Sequence, residues 1–179
     1  MLYYIHGYLS SPDSAKGKLF KEKLNAKAIQ YRDCEPEDLV ISDCIKRISD
    51  EIKDDDDDVV LIGSSLGGLL AAKVALDHSN VKKLILLNPA TIPPTVDVNT
   101  IQDMPHRILG EMKDKRLFEE KINADISILI GTEDDVVPRS WILDFAMAQE
   151  ATVRFLCDDH SFTKNIDNLP ALIAQIIGL

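Results

Sequence analysis

The chain has 179 residues, 45% of them hydrophobic and 28% charged, with a formal net charge of -10 at pH 7. That length fits one domain with a substantial core, and the acidic balance argues against nucleic acid or an anionic membrane surface as a partner. No run approaches a membrane span, and the start Met1-Leu2-Tyr3-Tyr4-Ile5 lacks the basic segment of a signal peptide, so a cytoplasmic protein is expected.

In chain order, residues 2–5 form a short apolar strand, residues 14–24 a helix and residues 28–31 a second short strand. Residues 36–52 read as a helix, with Leu39, Val40, Cys44, Ile45, Ile48 and Ile52 spaced for one buried face. The acidic run at 54–58 lacks the turn glycine and spacing of a calcium loop, and is expected to be a solvated turn. Strands are predicted at 59–62, 84–87, 126–130 and 153–156, with helices at 69–76, 140–149 and 169–177. The strands are continuous rather than alternating in hydrophobicity, which implies burial on both faces, as in a parallel sheet covered by helices. The βαβα rhythm agrees, so the expected class is α/β, with about six mostly parallel strands and helices on both faces. Residues 91–125 interrupt the rhythm. Pro93, Pro94 and Pro105 break this insertion, while Ile108, Leu109, Met112, Leu117, Phe118 and Ile122 suggest amphipathic pieces. It is too short for a separate domain and reads either as a short lid over an acyl pocket or as plain packing. Cys34, Cys44 and Cys157 have no metal-ligand spacing and are expected to be free, buried thiols.

Ligands of such sheets bind beyond the carboxyl ends of the strands. Four candidate segments lie there: His6-Gly7-Tyr8, Ser65, the loop from Gly131 to Pro138, and Asp158-Asp159-His160-Ser161-Phe162. Gly63-Ser64-Ser65-Leu66-Gly67 reads G-x-S-x-G between a strand and a helix. On such a sharp turn a serine Oγ is exposed above the sheet edge, with helix N–H groups behind it for a developing oxyanion. Ser65 is the candidate nucleophile. A serine needs a base within hydrogen-bond reach, and His160, between the last strand and the closing helix, is the best placed. An acid must then orient His160, and Glu133, Asp134 and Asp135 are all available. No carboxylate follows the fourth strand, where Asn88-Pro89 stands instead. The order serine, acid, histidine is that of α/β-hydrolases.

From Tyr4-Ile5-His6-Gly7-Tyr8-Leu9-Ser10-Ser11-Pro12, Gly63-Ser64-Ser65-Leu66-Gly67-Gly68, Leu87-Asn88-Pro89-Ala90, the acidic loop and the His160 loop, the chain resembles a small α/β-hydrolase. More narrowly, it resembles the compact bacterial YqiA-like esterases over nearly its whole length. The resemblance implies a hydrolase core without its first two strands, acting on carboxylic esters or thioesters. The recurrent G-x-x-D-x-V-V-P form maps onto Asp134 as the acid. The oxyanion hole would use the Leu66 amide, next to the nucleophile, and by the family pattern the Tyr8 amide. In such folds His6 is held in the oxyanion loop, where a structural hydrogen bond is its expected role. His78 and His106 are expected to be solvated. The family usually has a small residue before the catalytic histidine, where this chain has Asp158-Asp159. These carboxylates would raise the pKa of His160 if close to it, or else point into solvent.

The expectation is therefore a serine hydrolase acting on a small-molecule ester or thioester through an acyl-enzyme, with no metal or organic cofactor. An acyl-CoA thioesterase would use the same three residues. A hydrolase-fold binding protein with vestigial activity would not need all of them.

Overall fold

The computed structural model describes residues 1–53 and 58–179, so the acidic turn read at 54–58 lies, apart from Asp58, outside the described residues. Among the described residues six strands form one sheet: β1 (Leu2–Ile5), β2 (Lys27–Ala28), β3 (Val59–Ser64), β4 (Val81–Leu87), β5 (Asp125–Gly131) and β6 (Thr152–Leu156). Their order is β2-β1-β3-β4-β5-β6, and every pairing is parallel. All strands therefore end on one edge, and β3 lies inside the sheet next to β1 and β4.

Among the described residues seven α-helices complete the fold: α1 (Ala15–Leu24), α2 (Ile41–Ile52), α3 (Leu66–Asp77), α4 (His106–Met112), α5 (Arg116–Glu119), α6 (Arg139–Gln149) and α7 (Leu169–Ile177). Side chains alternate along each strand, so each face of the sheet builds its own core. Tyr3, Ile5, Leu61, Leu84, Leu86 and Ile128 point to the side of α2, α3 and α6. Tyr4, Ile62, Ile85, Leu87 and Leu129 point to the side of α1 and α7, where Phe20, Leu169 and Ile173 meet them. No helix among the described residues is long and apolar enough to cross a membrane.

Two elements differ from their sequence pattern. The helix expected from residue 36 is a 3-10 turn at Pro36–Asp38 followed by extended backbone at Leu39 and Val40, and α2 starts only at Ile41. Val40 has no side chain that could cap the helix, and Glu111 of α4 accepts the Ile41 N–H at 2.8 Å instead. The second strand is shorter than residues 28–31: after Ala28 only the Ile29 N–H still donates to Tyr4 O, at 2.9 Å. β2 is an edge strand with nothing to extend its ladder, and Tyr31 leaves it to pack beneath the loop that follows β1.

The 91–125 insertion supplies α4 and α5. Ile108, Leu109, Met112, Leu117 and Ile122 are buried in the larger core, and Phe118 packs against it. The buried Lys73 of α3 ties the insertion down through Asp114 at 3.3 Å, and Asp114 also pairs with Arg116 at 3.1 Å. The cysteines are all free, but only Cys44 is buried, and its thiol is pushed up to about 11 by that burial. Cys34 and Cys157 are exposed because one follows the edge strand β2 and the other ends the opposite edge strand β6.

A tight constraint lies where α3 meets β1 and β3. A Cβ on Gly67 would stand 2.1 Å from Ile5 O, and one on Gly63 would stand 2.5 Å from Gly67 O. Gly67→Ala is expected to lose roughly 3 kcal/mol or more by forcing backbone apart. Gly110→Ala, in α4 with open space around it, is expected to gain about 0.5–1 kcal/mol from helix propensity. Urea unfolding of both variants checks the contrast.

Candidate active site

Ser65 sits between β3 and α3 with φ 55 and ψ -120. Left-handed φ is costly for a residue with a Cβ, so the surroundings must impose it. They do so through hydrogen bonds on both sides: the Ser65 N–H donates to Leu87 O at 2.9 Å, and Ser65 O accepts from Gly68 N and Ala90 N at 2.9 and 3.0 Å. The glycines around Ser65 do not adopt positive φ themselves; they let α3 approach the strands closely. From Leu61 to Ala75 every residue except Ser65 is buried. Gly7 lies beside it, such that a Cβ there would stand 3.9 Å from Ser65 Oγ. This brings the His6-Gly7-Tyr8 loop against Ser65. Leu66 is the first residue of α3, and the first N–H groups of a helix have no partner within it.

His160 and Asp134 meet across the loops after β6 and β5. His160 Nδ1 lies 2.9 Å from Asp134 Oδ2, while Asp134 Oδ1 accepts the Val136 and Val137 amides at 2.8 and 3.1 Å. Burial alone would raise the Asp134 pKa. The bonds from His160, Val137 and Val136 outweigh it and hold the carboxyl below the usual range. An ionised carboxylate facing Nδ1 places that ring proton between them and leaves Nε2 as the basic atom. The other two acids of the loop are elsewhere: Glu133 pairs with Lys164 at 2.6 Å, and Asp135 is exposed.

Neither expectation for Asp158 and Asp159 describes what these carboxylates do, because both fold the His160 loop. Asp158 is buried and accepts the Asp159, Lys164 and Asn165 amides at 2.8 to 3.0 Å, as well as Asn165 Nδ2. Asp159 Oδ1 accepts the Ser161 and Thr163 amides. These bonds hold both carboxyls below the usual carboxylate range, for Asp158 against its burial.

Two organising residues were not read from the sequence. Asn88, fully buried with φ 43, accepts Gly131 N–H at 2.8 Å and donates Nδ2 to His160 O at 3.0 Å and Asp159 O at 3.3 Å. It fastens the loop after β6 to the strands beside Ser65. Asparagine tolerates left-handed φ and offers both donor and acceptor, which is the available signal. Tyr31 Oη reaches the carbonyls of His6 and Gly7 at 3.2 and 3.3 Å, and its ring stacks on His6 at 4.3 Å. His6 Nδ1 donates to Gly7 O at 2.9 Å, so this histidine holds its loop as expected. His106 is exposed and His78 half-buried.

With the geometry in view, comparison with known proteins places the chain. A profile of the uncharacterised protein family UPF0227 matches residues 1–176. No curated protein matches the sequence. Among solved structures, Est1E from Butyrivibrio proteoclasticus with ferulic acid bound superimposes with a TM-score of 0.80 at 18% identity, covering 98% of this chain and 87% of that one. The α/β hydrolase domain-containing protein 10 from mouse gives 0.73 at 19% identity, covering 99% and 89%. The monoacylglycerol lipase of Paleococcus ferrophilus gives 0.71 at 15% identity, covering 97% and 92%. The fold is that of the α/β-hydrolases.

Burial lowers the pKa of His6 to about 4, helped by the charge of Arg32 and opposed by the bond to Gly7 O. The unfolded chain therefore binds a proton at His6 that the folded chain refuses, and stability falls as pH drops from 6.5 to 4. The expected loss at this site is up to about 3 kcal/mol. Urea midpoints across that window should slope in the wild type and flatten in His6→Gln.

Proposed function

We propose that this chain, which belongs to the UPF0227 family and has the α/β-hydrolase fold, is a serine hydrolase that cleaves carboxylic esters. The observation that carries the reading is the 2.9 Å contact between Asp134 Oδ2 and His160 Nδ1, on the sheet edge where Ser65 stands strained and half-buried. A carboxylate that fixes this tautomer leaves His160 Nε2 free to act as a base.

In the proposed reaction His160 Nε2 removes the Ser65 hydroxyl proton as Oγ bonds to the ester carbonyl carbon. The tetrahedral oxyanion is held by the Leu66 and Tyr8 amides. The C–O bond to the alcohol then breaks, and His160 returns the proton to the leaving oxygen. Water repeats the cycle on the acyl-Ser65, with His160 again as base, and frees the acid. Asp134 remains ionised and stabilises the imidazolium. No metal or organic cofactor takes part in these steps. The substrate is a small-molecule ester, and the proposed compartment is the cytoplasm.

Ester and thioester preference separates on a panel of p-nitrophenyl butyrate and butyryl-CoA. With the preferred substrate, Ser65→Ala and His160→Ala are expected to lower kcat by about a thousandfold or more, and Asp134→Asn to lower it by a similar order. Unchanged turnover in Ser65→Ala would remove the reading.

A further inference from the structure

The loop after β1 and the segment after β2 border an open, shallow cavity of about 530 Å³ that the proposed reaction leaves unused. Its walls include Ser10, Ser11 and Ser14, together with Arg32 and the exposed Glu35. Both segments leave the carboxyl ends of their strands, so the cavity lies on the same edge of the sheet as Ser65. Ser10 is three residues beyond Gly7, which bounds their separation at roughly 11 Å, and Gly7 lies against Ser65.

Arg32 gives the cavity its character. Only 9% of the residue is exposed. A guanidinium stays charged at any physiological pH and carries five N–H donors, so burying it is costly unless charge or hydrogen bonds compensate. Here Nη2 donates to Ser10 O at 3.0 Å, while the buried Nη1 has no hydrogen-bond partner. The chain has 30 acidic residues against 20 lysines and arginines, yet among the described residues no carboxylate forms an ion pair with Arg32. The neighbouring Asp33 pairs with Arg47 instead, at 2.5 Å. A second source of positive potential converges on the cavity: Ser14 is the N-cap of the ten-residue α1, so the positive end of that helix lies at the wall. The nearby hydroxyls of Ser10 and Ser11 can donate to the same group.

We infer that this cavity is a subsite for an anionic oxygen group of the substrate, a carboxylate or a phosphate, which Arg32 binds while the ester carbonyl lies at Ser65. This specifies the substrate class of the proposed hydrolase, on which it rests: esters with an anionic oxygen group a short chain away from the scissile bond. The exposed Glu35 opposes such a ligand at the wall, so the buried arginine must outweigh it.

Titration of the intact protein with glutarate, and separately with inorganic phosphate, tests the site without turnover. Ser65→Ala is expected to bind one of them as the wild type does. Arg32→Gln should weaken that binding by about tenfold or more, the usual scale for a charge-assisted bond. Binding of glutarate identifies a carboxylate site and binding of phosphate a phosphate site. Binding of neither at 10 mM on the order of a weak subsite, or equal binding by Arg32→Gln, overturns the inference. Should Arg32→Gln not fold, Ser11→Asp puts a negative charge on the exposed wall and should weaken binding to a similar extent. Turnover separates this inference from the reading beneath it. Mono-p-nitrophenyl glutarate should exceed p-nitrophenyl valerate in kcat/KM by about tenfold if a carboxylate binds, and Arg32→Gln should abolish that preference. For a phosphate site, phosphate should inhibit valerate hydrolysis competitively in the wild type and more weakly in Arg32→Gln. Ligand binding with neither ester cleaved would refute the hydrolase but keep the anion site. Ester cleavage without the expected preference or inhibition would refute the subsite and keep the hydrolase.

Discussion

The packing of α3 against β1 and β3 governs the rest of the molecule. Gly67 lies so close to the Ile5 carbonyl, and Gly63 so close to Gly67, that no side chain fits at either position. With the strand and the helix fixed at that distance, the single residue that must turn the chain between them is Ser65, and it takes φ 55. The strain is held by the hydrogen bonds to Leu87, Gly68 and Ala90, which belong to the same compact junction. A serine in a relaxed loop would have neither this exposure nor this orientation. The proposed nucleophile is thus a consequence of backbone packing several residues away from its hydroxyl.

Around that junction the structure divides its polar groups by task. Asp134 faces His160, while Asp158 and Asp159 spend their oxygens on loop amides, and Asn88 binds the loop to the sheet. On the other side Tyr31 and His6 support the Gly7 loop through carbonyl bonds and ring stacking. Buried polar networks of this kind contribute by leaving few donors or acceptors unpaired. Among the described residues the buried side-chain atoms left unpaired are His6 Nε2, Thr91 Oγ1 and Arg32 Nη1, and of these Arg32 is the cation.

Much of this was legible in the amino-acid sequence because it depends on local pattern. Apolar runs located β1 and β3 to β6 and touched β2 only at Ala28, and residues 169–177 read as the closing helix that α7 is. The positions directly after strands point to Ser65, to His160 and to the three acids Glu133, Asp134 and Asp135, among which the family resemblance points to Asp134. What could not be read depends on contacts between distant parts of the chain. Residue 36 suits a helix start, but the start moves to Ile41 because the cap comes from Glu111, seventy residues away. Tyr31 resembles the end of a strand until its hydroxyl is placed under His6 and Gly7. Asn88 looked like a missing acid because its partners lie on β5 and beyond β6. Two adjacent carboxylates before His160 suggested electrostatics, whereas their geometry serves backbone capping.

The central claim is that Ser65 is chemically activated by His160, and covalent labelling tests it most directly. Intact mass after brief exposure to a fluorophosphonate, followed by peptide mapping, should show one adduct on the peptide containing Ser65. The adduct should be absent from His160→Ala, whose Ser65 is intact but lacks its base. An unmodified, well-folded wild-type protein, or equal labelling of His160→Ala, would contradict the account.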